Sequence, residues 1–325
     1  MVWGVIWCNC STDGMKIAII GRSEYLYESA LRLLDNGYEI PLIITAKEAP
    51  EYKYSSKDFE LLARRCGARF IHTARINATE VIEEIKSLGC IDIAVSINYS
   101  GIIQKSLIEL FHHGILNAHG GDLPRYRGNA CMAWALINYE TKVGLCVHKM
   151  IADELDSGDI ISRKYLDISC DTRVGEIFDW MRSEIPDLML NAVGLLQTNP
   201  SYVLEKQSKE AKDALRTYPR HPQDGRIQWV STNEDIVRLV NASSEPFQGA
   251  FCYLDGRKLI IWRAELFNDL EIYLAVSGQI SRICKETGAV EVITGRGKIR
   301  ILEVSEFADR MVPAALITSI RQRLT

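Results

Sequence analysis

From Met15 to about residue 170, short aliphatic runs alternate with segments whose apolar residues recur at helical spacing. Runs such as KIAII and DIAVSI are apolar at nearly every position, which is typical of strands that are buried on both faces. The segment EYLYESALRLLDNG between the first two runs has the spacing of an amphipathic helix and ends on a glycine. This alternation predicts an α/β fold with a doubly wound, mostly parallel sheet. The predicted strands cover residues 16–20, 40–45, 68–73, 92–97, 114–119 and 143–150.

The composition changes after a long helical stretch at 172–196, which Pro186 is expected to interrupt. The residues that follow are polar and contain prolines, so we predict a linker at 201–218. Beyond it, a short helix precedes strand-like pieces separated by turns such as Asp255-Gly256, which indicates a small antiparallel β-barrel. The predicted organisation is an upstream or disordered extension at 1–14, a first domain at 15–200, the linker, and a barrel domain at 219–325.

Composition and charge exclude several classes of protein. The net charge of −4 lacks the basic surplus of proteins that bind a phosphate backbone, so nucleic acid is not an expected partner. We expect no membrane span, because no apolar run is long enough, and residues 1–14 make a poor signal peptide. The nine cysteines are scattered without a C-x-x-C pair, which favours reduced thiols in a cytoplasmic protein without a bound metal.

The first predicted strand does not lead into a nucleotide-binding loop. It is followed by GRSEYLYESA, in which Gly21 is the only glycine, whereas the dinucleotide fingerprint needs three glycines and a P-loop needs Gly-Lys. Nicotinamide and nucleoside-triphosphate chemistry are therefore not expected. In an open α/β sheet the site still lies beyond the carboxyl ends of the strands.

Polar groups follow two of the later strands. Asn117 and His119 end the run GILNAH, and the loop IADELDSGDII after the strand at 143–150 contains four acidic residues. A carboxylate can fix the tautomer of an imidazole and raise its basicity, and an amide can donate to a developing oxyanion. Asn, His and Asp at neighbouring strand tips are consistent with an acyl-transfer site, although each of these residue types is also common in ordinary turns.

The string Asn-x-His-x-x-x-x-Pro-x-Tyr-Arg-Gly, from Asn117 to Gly128, and LDSGD at 155–159 resemble the signature of the 10-formyltetrahydrofolate-dependent formyltransferases. The part from RHPQDGRIQW onward is similar to the C-terminal barrel of the methionyl-tRNA and sugar-nucleotide members. The resemblance implies a Rossmann-like formyltransferase domain, an OB-like barrel and 10-formyltetrahydrofolate as co-substrate. It also implies that Asn117 donates to the oxyanion and that His119 accepts a proton from the attacking amine or aids the collapse of the intermediate. Asp156 is implied to hold His119 and to favour its charged form.

The resemblance places the pterin against the backbone of two loops and the formyl acceptor at the mouth of the site. The residues implied for folate are Gly101, Ile102, Ile103, Asp153, Glu154 and Leu155. Those expected to contact the acceptor are Asn98, Tyr99, Arg125, Tyr126, Arg127 and Trp134. For Trp134 and the Pro-Arg-Tyr-Arg-Gly loop, a purely structural role is the alternative to contact with the acceptor, and no metal ligand is implied.

Two kinds of family member carry both domains, and they differ in the formyl acceptor. SINYSGII at 96–103 and ACMAWALINYE at 130–140 resemble the amino-sugar enzymes. Residues 216–325 contain 15 Lys and Arg against 13 Asp and Glu, and this net charge of +2 is little with which to hold a tRNA acceptor arm.

We therefore expect N-formylation of a nucleotide-linked amino-deoxysugar, a step of surface-polysaccharide biosynthesis. Methionyl-tRNA formyltransferase is the alternative. A hydrolase that releases formate and a silent folate-binding protein also stay open, the latter disfavoured by the intact Asn, His and Asp. Since the sugar enzymes are often dimeric, a homodimer is a further expectation.

Overall fold

The computed structural model of the protein describes residues 14–50 and 52–325, and the chain folds into two compact units. The first unit runs to Arg127 and includes Gly144–Tyr165 and Trp180–Arg216; the second combines Gly128–Val143, Leu166–Asp179 and Thr217–Thr325. Of the extension predicted at 1–14, only Gly14 lies within the described residues. The domain boundaries predicted from the sequence stay a prediction.

The elements are numbered in chain order within the described residues. The strands are β1 (Lys16–Gly21), β2 (Glu39–Thr45), β3 (Arg69–His72), β4 (Ile93–Ile97), β5 (Ile115–Gly120), β6 (Arg127–Gly128), β7 (Lys142–Lys149), β8 (Ile160–Asp167), β9 (Arg216–Thr217), β10 (Ala250–Leu254), β11 (Arg257–Phe267), β12 (Ile280–Ile283), β13 (Val290–Ile293) and β14 (Lys298–Ser305). The helices are α1 (Glu24–Asp35), α2 (Ser56–Cys66), α3 (Thr79–Ser87), α4 (Lys105–Ile108), α5 (Cys131–Ile137), α6 (Val174–Thr198) and α7 (Asn233–Ser243).

Seven strands form the large sheet in the order β3-β2-β1-β4-β5-β7-β8. The pairs from β3 to β5 are parallel, and β5 pairs with β7 in antiparallel orientation. All five residues of β4 are buried, as expected for a central strand that is covered on both faces. The predicted mostly parallel α/β sheet is confirmed, and each predicted strand is present to within a residue or two.

The strand order reverses beside β1, which pairs with β2 on one side and with β4 on the other. Gly21 ends β1 with a φ of +135°, and a Cβ at this position would lie 2.0 Å from the carbonyl oxygen of Ile97. Glycine therefore permits the ends of β1 and β4 to approach closely. Such a reversal point opens a crevice at the carboxyl edge of a doubly wound sheet.

Helix α6 differs from its prediction, because it runs without a break through Pro186. A proline inside a helix removes one hydrogen bond and strains the preceding turn. Ile185, Leu188 and Met189 around it are all buried, so packing of the apolar face offsets that cost.

The second unit contains a five-stranded antiparallel sheet in the order β10-β11-β14-β13-β12. The C-terminal residues lie between its first and last strands: Thr325 exchanges backbone hydrogen bonds with Tyr253, and the N–H of Leu324 donates to the carbonyl of Gly278. Ile261, Val292 and Ile301 are among the buried residues of its core. The predicted small antiparallel unit is confirmed.

Candidate active site

Strand β5 carries Asn117 and His119 on the same face, because alternate residues of a strand point to the same side. Asn117 pairs with Ser96 of β4 on one side and with His148 of β7 on the other. The two sequence-predicted residues therefore lie on an inner strand of the sheet, near the carboxyl end of β4.

His119 is buried and is held at both ring nitrogens. Its Nε2 donates to the carbonyl oxygen of Tyr126 over 2.7 Å, since a carbonyl can only accept. Its Nδ1 lies 3.5 Å from Oδ2 of Asp156. In the neutral ring the basic lone pair is therefore on Nδ1, and this atom faces the carboxylate.

Gly121 leaves the space that this arrangement requires. A Cβ at this position would lie 2.4 Å from the carbonyl oxygen of Tyr126 and 2.5 Å from Nε2 of His119. Both distances are below any normal contact, so a larger residue must displace the His119 ring or the Tyr126 carbonyl.

Asp156 reaches the site from the loop that follows β7. It adopts a left-handed backbone conformation with a φ of +49°, which Asp tolerates better than most residues. Its side chain is 12% exposed, and its second oxygen, Oδ1, lies 3.6 Å from Nε2 of His148. One carboxylate thus lies between two imidazoles, and the structure brings Asn117, His119 and Asp156 together as the sequence predicts.

His148 is a site residue that sequence reasoning missed. It is 2% exposed, and its Nδ1 donates to the carbonyl oxygen of Lys149 over 3.0 Å. Its Nε2 is therefore an acceptor in the neutral ring and receives an N–H from Nδ2 of Asn117 over 3.2 Å. The signal in the sequence is a histidine at the end of an apolar strand, but its position opposite Asn117 depends on a strand pairing that the sequence does not specify.

The first loop predicted for folate follows β4. Ile102 is 77% exposed, and its carbonyl oxygen accepts a hydrogen bond from Nδ2 of Asn77 over 2.7 Å. Ile103 is buried in the core of the first unit, so only its backbone can face a ligand. The ring of Tyr99 lies 3.3 Å from the position that a Cβ of Gly101 would take.

The second loop predicted for folate contains Asp153, Glu154 and Leu155, all exposed. Glu154 accepts hydrogen bonds from the hydroxyl of Ser157 and the ammonium of Lys209, and these lower the pKa of its carboxyl group. Leu155 presents an exposed apolar side chain.

The residues predicted to contact the acceptor have varied surroundings. Asn98 has a left-handed backbone, and its carbonyl accepts from Nε of Arg22 over 2.9 Å. The hydroxyl of Tyr99 donates to the carbonyl of Thr73 over 2.8 Å, and burial raises the pKa of this phenol.

The loop after β5 supplies three further residues of this set. Arg125 is exposed above the ring of Tyr126, which is itself buried. Arg127 directs its guanidinium to the side chain of Gln207, a residue of the predicted linker.

Trp134 belongs to the second unit, and the partners of its indole do too. The indole N–H donates to the carbonyl of Tyr218 over 2.8 Å, and the guanidinium of Arg220 lies over the ring. The prediction that Trp134 contacts the acceptor stays a prediction.

In residues 14–50 and 52–325, no group of three or more His, Cys, Asp or Glu side chains is placed to hold a metal ion. Over the same residues, no helix combines the length and the apolar character that crossing a membrane would require.

Two family models match this chain. One described as formyl transferase matches residues 15–193, and one described as formyl transferase, C-terminal domain, matches residues 220–320. The chain belongs to the formyl transferase family. The predicted enzyme class, a formyltransferase with 10-formyltetrahydrofolate as co-substrate, is confirmed.

Relatives of this formyltransferase include two methionyl-tRNA formyltransferases. That of Geotalea uraniireducens (strain Rf4) is 31% identical over 255 residues, which cover 77% of this chain and 79% of that one. That of Geobacter metallireducens (strain ATCC 53774 / DSM 7210 / GS-15) is 27% identical over 296 residues, which cover 90% and 91%.

A solved structure with a similar fold is the N-formyltransferase from Helicobacter canadensis in complex with folinic acid and dTDP-3-aminofucose. Its TM-score is 0.67 at 17% identity, over 89% of this chain and 99% of that one. At this identity the likeness is one of fold.

The prediction of an amino-sugar acceptor is wrong. Relatives at 27–31% identity over most of the chain are methionyl-tRNA formyltransferases, whereas the likeness to a sugar enzyme is structural and lies at 17% identity. The names of the same relatives include a tRNA substrate, so these relatives do not support the prediction that nucleic acid is not a partner.

The physical reason for this error lies in the features that favoured a sugar. The hydroxyl of Tyr99 and the indole N–H of Trp134 are both bonded to backbone carbonyls of the protein. The net charge of the C-terminal part counts buried groups such as Glu291, which pairs with Arg300 and contributes little to the outer surface. A nucleic acid responds to the local charge that it contacts and not to this total.

Proposed function

We propose that this formyltransferase transfers the formyl group of 10-formyltetrahydrofolate to the amino group of methionyl-tRNA. The observation that carries the proposal is the similarity over 77–90% of the chain to methionyl-tRNA formyltransferases. The geometry of Asn117, His119 and Asp156 supplies the groups that such a transfer needs.

In this reaction the amine nitrogen bonds to the formyl carbon, and the bond from that carbon to N10 of the folate breaks. Negative charge develops on the formyl oxygen, the amine loses a proton, and N10 gains one. The protein must therefore supply a donor to the oxygen and a group that accepts a proton near the amine.

Asn117 is the proposed donor to the formyl oxygen. One N–H of its carboxamide is directed to Nε2 of His148, which fixes the orientation of the amide and leaves the second N–H for the substrate. A positioned donor of this kind contributes about 3 kcal/mol to lowering the barrier.

His119 is the proposed proton acceptor, and Nδ1 is the atom that accepts. The proton on Nε2 is bonded to the carbonyl of Tyr126, so the ring can take a second proton only at Nδ1. The carboxylate of Asp156, 3.5 Å away, stabilises the resulting imidazolium.

The pterin is a flat ring with polar edges, so apolar side chains and backbone groups can both contact it. Each of the two loops implied for folate presents an exposed apolar side chain, Ile102 in one and Leu155 in the other, beside backbone amide and carbonyl groups. We propose that these loops hold the pterin, with Ile103 contributing only its backbone.

An acceptor panel tests the proposal. The purified protein is incubated with 10-formyltetrahydrofolate and either charged initiator tRNA, a set of amino-deoxysugar nucleotides, or buffer alone. We expect formylmethionyl-tRNA and no other formylated product. Formylation of a sugar nucleotide only, or release of formate at the same rate without tRNA, would overturn the proposal.

A further inference from the structure

Gln207 lies in the segment that the sequence analysis assigned to a linker, yet its side chain is buried. The carboxamide nitrogen Nε2 donates to the carbonyl oxygen of Asp156 over 2.9 Å and to that of Gly158 over 2.6 Å. One side chain from a distant segment therefore holds the backbone on both sides of Ser157, in the loop that presents the proposed carboxylate.

The other end of the same carboxamide binds the loop after β5. Its oxygen Oε1 accepts from Nε of Arg127 over 3.2 Å and from Nη2 over 2.8 Å. Both N–H groups and both lone pairs of Gln207 are thus in use. The orientation of the amide is unambiguous, because a guanidinium can only donate and a peptide carbonyl can only accept.

The loop that Gln207 holds needs external support. Asp156 and Asp153 both have positive φ values, a conformation that costs free energy for residues other than glycine. Neighbouring bonds reinforce the same contact, since Lys209 pairs with Glu154 over 2.9 Å and the N–H of Ile160 donates to the carbonyl of Glu205 over 2.9 Å. The segment at 204–209 is therefore fixed to the Asp156 loop.

We infer that Gln207 is a positioning residue for formyl transfer, which acts by fixing the backbone of Asp156 so that its carboxylate meets His119. The inference rests on the proposed function of the Asn117, His119 and Asp156 site. Through Arg127 the same side chain links the Asp156 loop to the loop whose Tyr126 carbonyl holds His119. Both partners of the proposed ion pair are thus aligned by one carboxamide.

The test compares Gln207→Met, which keeps the length of the side chain without its hydrogen bonds, with wild-type protein. A misplacement of about 1 Å in a reacting group costs roughly 100-fold in rate, so we expect kcat for methionyl-tRNA to fall by about 10- to 100-fold. KM for both substrates should stay within about threefold, because the side chain of Gln207 is buried and its hydrogen bonds are to protein groups.

Gln197→Met is the matched control. Gln197 also uses its side-chain oxygen to accept a hydrogen bond, from the hydroxyl of Tyr38 over 2.9 Å. We expect wild-type kcat in this variant. If Gln207→Met does not fold, Gln207→Glu replaces it, because this variant keeps the bonds to Arg127 and loses the donor to the two carbonyls.

A second background separates positioning from a merely structural role. In Asp156→Glu the carboxylate is displaced by its longer side chain, so Gln207→Met should lower kcat by less than about threefold in that background. An equal factor in both backgrounds, or a loss confined to KM, would overturn the inference. Wild-type protein that does not formylate methionyl-tRNA would instead contradict the proposed function, whereas active wild type with equally active Gln207→Met removes only the inference.

Discussion

Nδ1 of His119 lies 3.5 Å from Oδ2 of Asp156, although one residue belongs to strand β5 and the other to the loop after β7. The other ring nitrogen of His119, Nε2, donates to the carbonyl of Tyr126. The carboxylate of Asp156 therefore lies beside the nitrogen that can accept a proton, where it can stabilise the charged form of the ring. Each component of this arrangement can be changed separately by a single substitution.

Replacement of His119 by Ala removes the proposed proton acceptor. Since positioned acid–base groups contribute about 100- to 10,000-fold to rate, we expect kcat to fall by a factor in this range. The dissociation constant of the folate, measured by isothermal titration calorimetry with an unreactive formyl-folate analogue, should change little. A variant that keeps more than half of the wild-type kcat would refute the role of His119.

Gly121→Ala should displace the His119 ring or the Tyr126 carbonyl, because the new Cβ would lie within 2.5 Å of both groups. We expect at least a tenfold loss of kcat, measured as the initial rate of formylation. The matched control is Gly194→Ala in helix α6, where the nearest atom to a new Cβ is the hydroxyl of Tyr38 at 3.8 Å. The control should keep wild-type activity, and equal activity in both variants would argue against the steric account.

His148 is expected to set the orientation of the Asn117 amide. His148→Met removes the acceptor for Nδ2 of Asn117 and should lower kcat by about 10- to 100-fold, with little change in KM. His148→Gln returns an acceptor oxygen near the same position and should recover part of this loss. If the Met and Gln variants show the same kcat, the hydrogen bond from Asn117 does not contribute.

Asp235 in the second unit provides a prediction for acid stability. Burial opposes ionisation of this carboxyl group, but hydrogen bonds from Tyr139 and Thr232 lower its pKa below the ordinary value of 3.8. A lowered pKa in the folded state means that the stabilisation is complete at pH values well above 3.8 and is lost as the pH falls through the folded value.

The measurement for Asp235 is the melting temperature of Asp235→Ala against wild type at several pH values. The residue also completes the capping box of α7, a feature whose loss costs about 1 kcal/mol. We expect the variant to melt lower at neutral pH and the difference to shrink below about pH 4. A difference that is independent of pH would show that the carboxylate charge is not involved.

The sequence was sufficient for the features that depend on local pattern. Continuous aliphatic runs predicted six of the seven strands of the large sheet, all except β8, and the run GILNAH placed Asn117 and His119 at the end of one of them. The acidic loop was identified because it follows a strand, and its Asp156 does reach His119.

Long-range pairings were beyond the sequence. His148 contacts Asn117 only because β7 pairs with β5 in one register, and Gln207 reaches Asp156 from a polar stretch with no periodic pattern. The expectation of a break at Pro186 failed because packing of the buried face of α6 outweighs a local preference. The amino-sugar prediction failed because the presence of aromatic residues and the total charge do not reveal which polar groups are already hydrogen-bonded within the protein.

The most direct test is the single-turnover rate of formyl transfer from 10-formyltetrahydrofolate to methionyl-tRNA by wild type and by Asp156→Asn. Wild type should form formylmethionyl-tRNA, and the variant should be slower by at least about 100-fold, because the amide cannot stabilise a charged His119. Transfer within threefold of the wild-type rate in Asp156→Asn, or no transfer by wild type, would contradict the account.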